Sequence, residues 1–457
     1  MEIIKQQKLN GAPRAATPTK GKCMSYNIEQ IKQGIKLHCI DTNKFKTNLM
    51  SVIITVPLNR EKITFDTIIP SVLKRGTEKL KSQEDISKKL ENMYGASFDC
   101  GVEKIGDNHV IKFYLESLND NFIPQNNVGV DVHIDPPKTL NQSINLLLDI
   151  IFNPLTENNK FKDEYVESEK NNIKLLIESK IDNKDQYALN RCIEEMYKDE
   201  PYGLYKYGYV EDLEKINSDN LYNYYLELVN TSKIDIFVSG QIPKQEVIEI
   251  VKNNENIKKL KGRQPNYIVN NEQTEDKESA QEKEIQDKMD ITQGKLVIGL
   301  DVKLNKDNSK FPISMYNVIL GESATSKLFQ NVREKASLAY TARSNYVRQK
   351  NNIYIRCGIE IENYEKALEI IKEQLEEMRS GNFTEKDLQN AKKYMISGLQ
   401  SVQDEQDSEI TYYIGQELSG KLTTFDEYIE QVNKVNMEEV QNVANNIKIN
   451  TIYFLRN

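Results

Sequence analysis

The same order of secondary-structure patterns occurs twice along this chain, which constrains its fold more than any other feature. In the first half, the apolar run NLMSVIITVPL is followed by helical patterns, two short strands, long amphipathic helices and the strand KIDIFVSG. In the second half, GKLVIGLDV is followed by helical patterns, the strands AYTARSNYV and NIYIRCGIEI, amphipathic helices and the strand INTIYFLR. Two copies of one unit predict two homologous domains.

Each copy mixes strands and helices in a way that is typical of the α+β class. The strand runs are rich in Val, Ile and Thr, and a turn at residues 106–108 predicts a hairpin. A chain of 457 residues exceeds the size at which a single core keeps growing. We therefore predict two domains, each a mainly antiparallel sheet with helices packed on one face, joined by an acidic linker into a clamshell.

A charged stretch separates the two copies. Residues 271–290 contain eight acidic side chains and three lysines, with almost no apolar content. Such a segment cannot bury enough apolar surface to offset the entropy of ordering it, so we predict a linker over 253–290. The N-terminal residues 1–23 are rich in Ala, Thr, Pro and Gly and are predicted to form a flexible extension. The two domains are then expected at 24–252 and 291–457.

Composition excludes several classes of protein. A net charge of -8, from 61 basic and 69 acidic residues, argues against a nucleic-acid-binding protein, which carries a concentrated basic face. No apolar run approaches the ~18 to 20 residues that span a bilayer, so no membrane association is expected. The cysteines are scattered singly, which is typical of reduced thiols in a cytoplasmic protein: Cys23, Cys39, Cys100, Cys192 and Cys357.

The sequence contains none of the common local catalytic motifs. There is no Gly-x-Ser-x-Gly elbow, no phosphate-binding Gly-Lys-Ser/Thr loop and no Rossmann fingerprint. Its three histidines are His38, His109 and His133, and no two lie within one helical turn of each other. We interpret them as ordinary sheet or surface histidines, with a composite metal site as the alternative.

Three stretches resemble one peptidase family. SKLFQNVREKASLAY is similar to its Leu-Phe-x-x-Val-Arg-Glu-Lys-x-x-Leu-Ala-Tyr segment, and LKRGT resembles the tail that follows its zinc-binding His-x-x-Glu-His helix. The stretch YALNRCIEEMYKDEPYGLYKYG resembles the family's His-Pro-Tyr-Gly region, with Glu200 in place of the histidine. On these residues the chain is identified as a member of the insulinase/pitrilysin family, of the size of mitochondrial processing peptidase subunits, with the resemblance covering residues 25–457.

The resemblance implies that the metal centre of the family is lost. Counting back from the Gly-Thr pair, the two zinc histidines fall on Thr67 and Ser71, and the general base falls on Pro70. The third ligand falls near Leu176, and Glu169 is the remaining supporting carboxylate. A hydroxyl is a poor zinc ligand and proline has no acid-base group, so we expect neither bound zinc nor catalytic residues in this chain.

The resemblance also assigns a substrate-binding role to Arg333 and Tyr340, seven residues apart. In active relatives such a pair holds the substrate backbone near the zinc of another domain. A guanidinium and a phenol can both donate hydrogen bonds to a peptide carbonyl. From the residues alone, a surface ion pair for Arg333 and strand packing for Tyr340 are the alternative.

These implications predict a non-catalytic subunit of a bacterial heterodimeric zinc peptidase. Its partner would be a homologous subunit that carries His-x-x-Glu-His, and zinc is expected only in that partner. The chain would form one wall of the chamber and bind an unfolded peptide or leader peptide in an extended form. The alternative function is a non-enzymatic peptide-binding or scaffold protein with the same fold.

Overall fold

A computed structural model of the chain describes residues 25–123, 138–269, 282–303 and 310–457. Its strands form two sheets, one in each half of the chain. The first sheet contains β1 (Ser25–Lys32), β2 (Ile35–Asp41), β3 (Thr47–Pro57), β4 (Ser97–Ile105), β5 (Asn108–Leu118) and β6 (Lys233–Gly240). The second contains β7 (Lys283–Lys288), β8 (Gly294–Val302), β9 (Ala339–Val347), β10 (Asn352–Ile359) and β11 (Ile447–Arg456).

Helices fill the connections between the strands. In the first half they are α1 (Ile63–Leu73), α2 (Gln83–Glu91), α3 (Thr139–Phe152), α4 (Asp163–Glu178), α5 (Lys184–Met196), α6 (Val210–Leu213), α7 (Ser218–Thr231), α8 (Lys244–Asn253) and α9 (Glu255–Lys259). In the second half they are α10 (Lys310–Asn317), α11 (Tyr364–Arg379), α12 (Glu385–Val402), α13 (Gln406–Ser419), α14 (Phe425–Lys434) and α15 (Met437–Asn445). Two π-helical segments, Val318–Glu322 and Phe329–Lys335, lie between α10 and β9. None of the described helices has the length and apolarity needed to cross a membrane.

The two sheets share one topology. Their strand orders are β1-β2-β6-β3-β5-β4 and β7-β11-β8-β10-β9, so five strands of the first sheet match the second, position by position. In each sheet one pair is parallel, β2 with β6 and β7 with β11, and the other pairs are antiparallel. The prediction of an α+β chain with two homologous, mainly antiparallel domains is confirmed.

The stretch predicted as a linker, residues 253–290, differs from that prediction in its described parts. Helix α9 packs Ile257 into the first core, and β7 pairs in parallel with β11 at the edge of the second sheet. Only the intervening residues 270–281 lie outside the described residues, as does the predicted extension 1–23. The strand completes the repeat, because β7 is the counterpart of β2.

A helix from the opposite domain covers the second face of each sheet. On α13, Ile410 and Ile414 belong to one apolar cluster with Phe237 of the first sheet. On α5, Cys192 belongs to a cluster with Val297 of the second sheet. The two helices hold the same place in the repeat, since each is the third long helix after the hairpin of its domain. The domains therefore pack by a reciprocal exchange of helices.

Close packing and ion pairs hold this interface together. A Cβ atom at Gly299 would lie 2.8 Å from the sulfur of Met196 on α5, so the glycine lets this side chain pack directly against β8. Across the same interface, Lys350 donates to Asp107 at 3.0 Å. The described residues thus form one packed unit from the two domains.

Candidate functional site

Helix α1 carries the positions at which the family's metal ligands are expected. Thr67 is buried, and its hydroxyl donates to the carbonyl oxygen of Ile63 one turn earlier, at 3.0 Å. Pro70 lies inside the helix and is buried, where it has no N–H to donate. On α4, Leu176 is an apolar side chain with 38% of its surface exposed. Together with Ser71, these residues supply no imidazole or carboxylate, so they do not fit a zinc ion.

The remaining family carboxylate, Glu169, has an ion-pair partner. It is 1% exposed on α4, and the guanidinium of Arg75, just beyond α1, donates to it. The side chain of Asn172 donates to its second oxygen at 3.1 Å. With its charge compensated, Glu169 links α1 to α4. More widely, no cluster of three His, Cys, Asp or Glu side chains suited to a metal occurs in the described part of the chain.

A buried charged network lies next to the degenerate positions. His109 on β5 has its Nδ1 2.9 Å from Asp66 Oδ2 and its Nε2 2.9 Å from the carbonyl oxygen of Lys206. The hydroxyl of Tyr224 on α7 donates to Asp66 Oδ1 at 2.7 Å. The ring of His109 therefore bridges two acceptors, the carboxyl group of Asp66 and the carbonyl oxygen of Lys206. The network ties α1 to β5, α7 and the segment at Lys206.

His38 has a different environment. Its Nε2 faces Asp235 Oδ1 at 3.0 Å, but its Nδ1 faces the hydroxyl of Tyr26 at 2.7 Å, which can donate. The ring of His38 therefore bridges a carboxyl group and a hydroxyl group. Although burial alone raises the pKa of Asp235, the charge of Lys233 and the contacts of His38 hold it below its usual range. The third histidine, His133, lies outside the described residues.

Arg333 and Tyr340 line one surface pocket of about 360 Å³, together with Glu334, Ser337 and Glu360. The guanidinium of Arg333 lies 4.6 Å from the ring centroid of Phe329, and its Nε lies 3.6 Å from Glu334. The structure therefore brings together the two residues that the sequence predicts to bind substrate. Their contact with a substrate stays a prediction.

The position of Tyr340 is unusual for a tyrosine that only packs. In the pairing of β9 with β10, Ala339 is opposite Ile359 and Thr341 is opposite Gly358, so Tyr340 is the extra residue of a β-bulge. Its side chain is 62% exposed. Bulges redirect side chains, and β9 is an edge strand of its sheet among the described residues. The edge has main-chain groups that can pair with an added strand.

Sequence reasoning missed the Asp66–His109 network. A signal was available, since Asp66 is the one charged residue of the otherwise apolar or hydroxyl-bearing helix ITFDTIIPSVL. A charge on a buried helix face requires a partner, but the sequence does not show which strand supplies it.

Residues 215–395 match the family described as "Peptidase M16 inactive domain". The chain is 30% identical over 437 residues to the "Probable inactive metalloprotease YmfF" of Bacillus subtilis (strain 168). This alignment covers 95% of this chain and 99% of that protein. It is 25% identical over 308 residues to the "Uncharacterized zinc protease YmxG" of the same organism, covering 66% and 72%. A solved structure of a conserved protein from Enterococcus faecalis V583 is similar with a TM-score of 0.81 and 26% identity, covering 94% of this chain and 98% of that one.

Proposed function

Because the chain belongs to the peptidase M16 (insulinase/pitrilysin) family and its own metal positions cannot hold zinc, we propose that it is the non-catalytic subunit of a heterodimeric zinc peptidase. Its partner is a homologous chain that carries His-x-x-Glu-His and the zinc. The name of the relative from Bacillus subtilis, a probable inactive metalloprotease, supports the first part of this proposal.

In this proposal the chain forms one wall of the chamber and holds an unfolded peptide or leader peptide. The peptide adds to the edge of the sheet at β9, where main-chain hydrogen bonds bind an extended segment with little demand on its sequence. The four described cysteines form no disulfide, which supports a cytoplasmic location: Cys39, Cys100, Cys192 and Cys357.

One observation carries the proposal. The metal positions have lost their chemistry, while Arg333 and Tyr340 share a pocket at the start of an edge strand. Tyr340 gains little from packing, because most of its side chain is exposed. Contact with a bound peptide would explain why two hydrogen-bond donors, Arg333 and Tyr340, lie together at the start of an edge strand.

The pair can be tested in a complex reconstituted with the His-x-x-Glu-His partner from the same source. We expect Arg333→Ala and Tyr340→Phe each to lower kcat/KM for peptide cleavage by about 10- to 100-fold, because each loses a hydrogen bond to the reacting segment. The measurement is the initial rate of cleavage of a quenched fluorescent peptide, with complex formation followed by size-exclusion chromatography.

Two controls match these changes. Tyr94→Phe alters a tyrosine that is 57% exposed in the first domain, and Lys335→Ala removes a cation two residues from Arg333. Both are expected to leave the rate unchanged. If Arg333→Ala and Tyr340→Phe also leave it unchanged while the complex still forms, the chain is better described by the alternative, a non-enzymatic peptide-binding or scaffold protein.

A further inference from the structure

The second domain contains a pocket of about 380 Å³ that the proposed function does not use. It lies between α10, α12 and α13, beside the end of β9, and its volume is in the range of small-ligand sites. We call it the aromatic pocket. The lining residues that matter here are Tyr346, Arg348, Tyr394, Gly398, Tyr412 and Tyr428.

The aromatic pocket has a defined place in the repeat. Helix α10 follows β8 as α1 follows β3, and α12 follows the hairpin of its domain as α4 does in the first domain. The pocket therefore lies between the counterparts of the two helices that bear the metal positions in active relatives. In the first domain these helices are joined by the Arg75–Glu169 ion pair.

Two glycines inside helices line the aromatic pocket. A Cβ atom at Gly398 on α12 would meet nothing within 4 Å, and one at Gly415 on α13 would meet only Gln349 Nε2 at 3.9 Å. Glycine inside a helix costs about 1 kcal/mol relative to alanine. Packing does not require glycine at either position. A larger side chain at either position would occupy part of the pocket, so the two glycines leave its volume open.

The charge of the aromatic pocket favours an anion. No carboxylate of the described chain lies within ion-pair distance of the Arg348 guanidinium, which lies 5.8 Å from the ring centroid of Phe311. Burial raises the pKa of Tyr412 and of Tyr428, and the positive charge of Arg348 opposes that rise in both. The negative charges of Glu427 and Glu322 add to the rise for Tyr412 and Tyr428, respectively.

Two further charged side chains line the aromatic pocket. Lys310 is buried, and its ammonium donates to the carbonyl oxygen of Arg348 at 3.3 Å. Glu322 is the one acidic residue among those lining the pocket. Burial of its carboxyl raises its pKa, which favours the neutral form and weakens its repulsion of an anion, although the hydrogen bond that Asn317 donates to it at 2.7 Å opposes that rise.

We propose that the aromatic pocket binds a carboxylate of a peptide, paired with Arg348, while the tyrosine rings pack around the neighbouring part of the peptide. This inference rests on the proposed peptide-binding function. Arg348 is eight residues beyond Tyr340, so a peptide lying along β9 from Tyr340 reaches the pocket after about 26 Å. The carboxylate comes from an acidic side chain or from the C-terminus of the peptide.

Binding of fluorescein-labelled peptides of about ten residues to the isolated chain, measured by anisotropy, tests this inference. One pair of peptides differs by Glu against Gln near the end, and another by a free C-terminus against an amide. In the wild-type chain we expect the carboxylate form of one pair to bind at least about 10-fold more tightly than its amide form. The pair that shows this difference tells whether the bound carboxylate is an acidic side chain or the C-terminus of the peptide.

Two variants separate the aromatic pocket from general effects on folding. Arg348→Gln should abolish the preference for the carboxylate. Gly398→Leu should fill the pocket and weaken binding of the preferred peptide by about 10-fold or more, while the thermal midpoint stays the same or rises because glycine leaves a helix.

The inference is overturned if wild-type chain binds the acid and amide forms equally, binds neither, or keeps its preference in Arg348→Gln. These outcomes are distinct from failure of the proposed function. That function fails if Arg333→Ala and Tyr340→Phe leave turnover of the reconstituted complex unchanged, a result that does not depend on Arg348.

Discussion

Replacing His109 by leucine is expected to lower the free energy of unfolding by about 3 to 5 kcal/mol. The substitution leaves the carboxylate of Asp66 buried, with Tyr224 as its remaining donor, and it removes the contact of the His109 ring with the carbonyl oxygen of Lys206. An uncompensated buried charge has no water to stabilise it, so the cost greatly exceeds that of the lost packing. The measurement is urea unfolding followed by circular dichroism.

A second substitution tests whether charge is the cause. Replacing both Asp66 and His109 by leucine removes the pair together, so the double variant should be more stable than His109→Leu alone. The exposed pair of Lys88 and Glu84 on α2 is the control, and Lys88→Ala should have no measurable effect. A loss below about 1 kcal/mol in His109→Leu would show that the buried carboxylate of Asp66 does not depend on His109 as a partner.

Replacing Glu409 by glutamine is expected to stabilise the protein above neutral pH. Glu409 is fully buried on α13, where the helix packs against the first sheet, and neither carboxylate oxygen has a hydrogen-bond partner among the described residues. Burial raises the pKa of Glu409 from 4.5 to about 7, although the charge of Lys44 opposes the rise. The ammonium of Lys44 is instead bonded to Asp404 at 3.3 Å.

The sign of the pH dependence follows from the raised pKa. Below pH 4.5 the carboxyl is protonated in both the folded and the unfolded chain, so it has no effect on stability. Between pH 4.5 and about 7 the unfolded chain loses the proton first, and the free energy of unfolding falls as the pH rises. Glu409→Gln should therefore gain little at pH 4 and about 2 to 4 kcal/mol at pH 8.

The measurement for Glu409 is the thermal midpoint and the urea midpoint of wild-type chain and Glu409→Gln between pH 4 and pH 8. Glu430 on α14 is the matched control, because it is exposed and paired with Lys434. Glu430→Gln is expected to change the midpoints little at any pH. A gain from Glu409→Gln that is the same at pH 4 as at pH 8 would contradict ionisation of the buried carboxyl as the cause.

The repeated order of elements made the fold class predictable from the sequence. Strand β3 is largely apolar because both of its faces are buried, and the period of the long helices is clear. The charged strand β7 escaped prediction for a physical reason. It is an edge strand that exposes most of its side chains, so its sequence KEIQDK resembles a solvated linker.

The arrangement of the domains was beyond the sequence. The patterns of α5 and α13 predict helices with an apolar face, but a pattern does not tell which sheet buries that face. The same limit applies to the site. The family resemblance implied the pair of Arg333 and Tyr340, whereas the bulge that exposes Tyr340 depends on the pairing of β9 with β10. Long-range contacts of this kind also determine the partners of Asp66 and Glu409.

The central claim is that this chain keeps the fold of a zinc peptidase family without its metal centre. The most direct test is the zinc content of the purified chain, measured by elemental analysis after zinc loading and desalting, with a His-x-x-Glu-His relative treated in parallel. We expect far less than one zinc per chain here and about one in the relative. Stoichiometric, tightly held zinc in this chain would contradict the account and would make it an enzyme candidate in its own right.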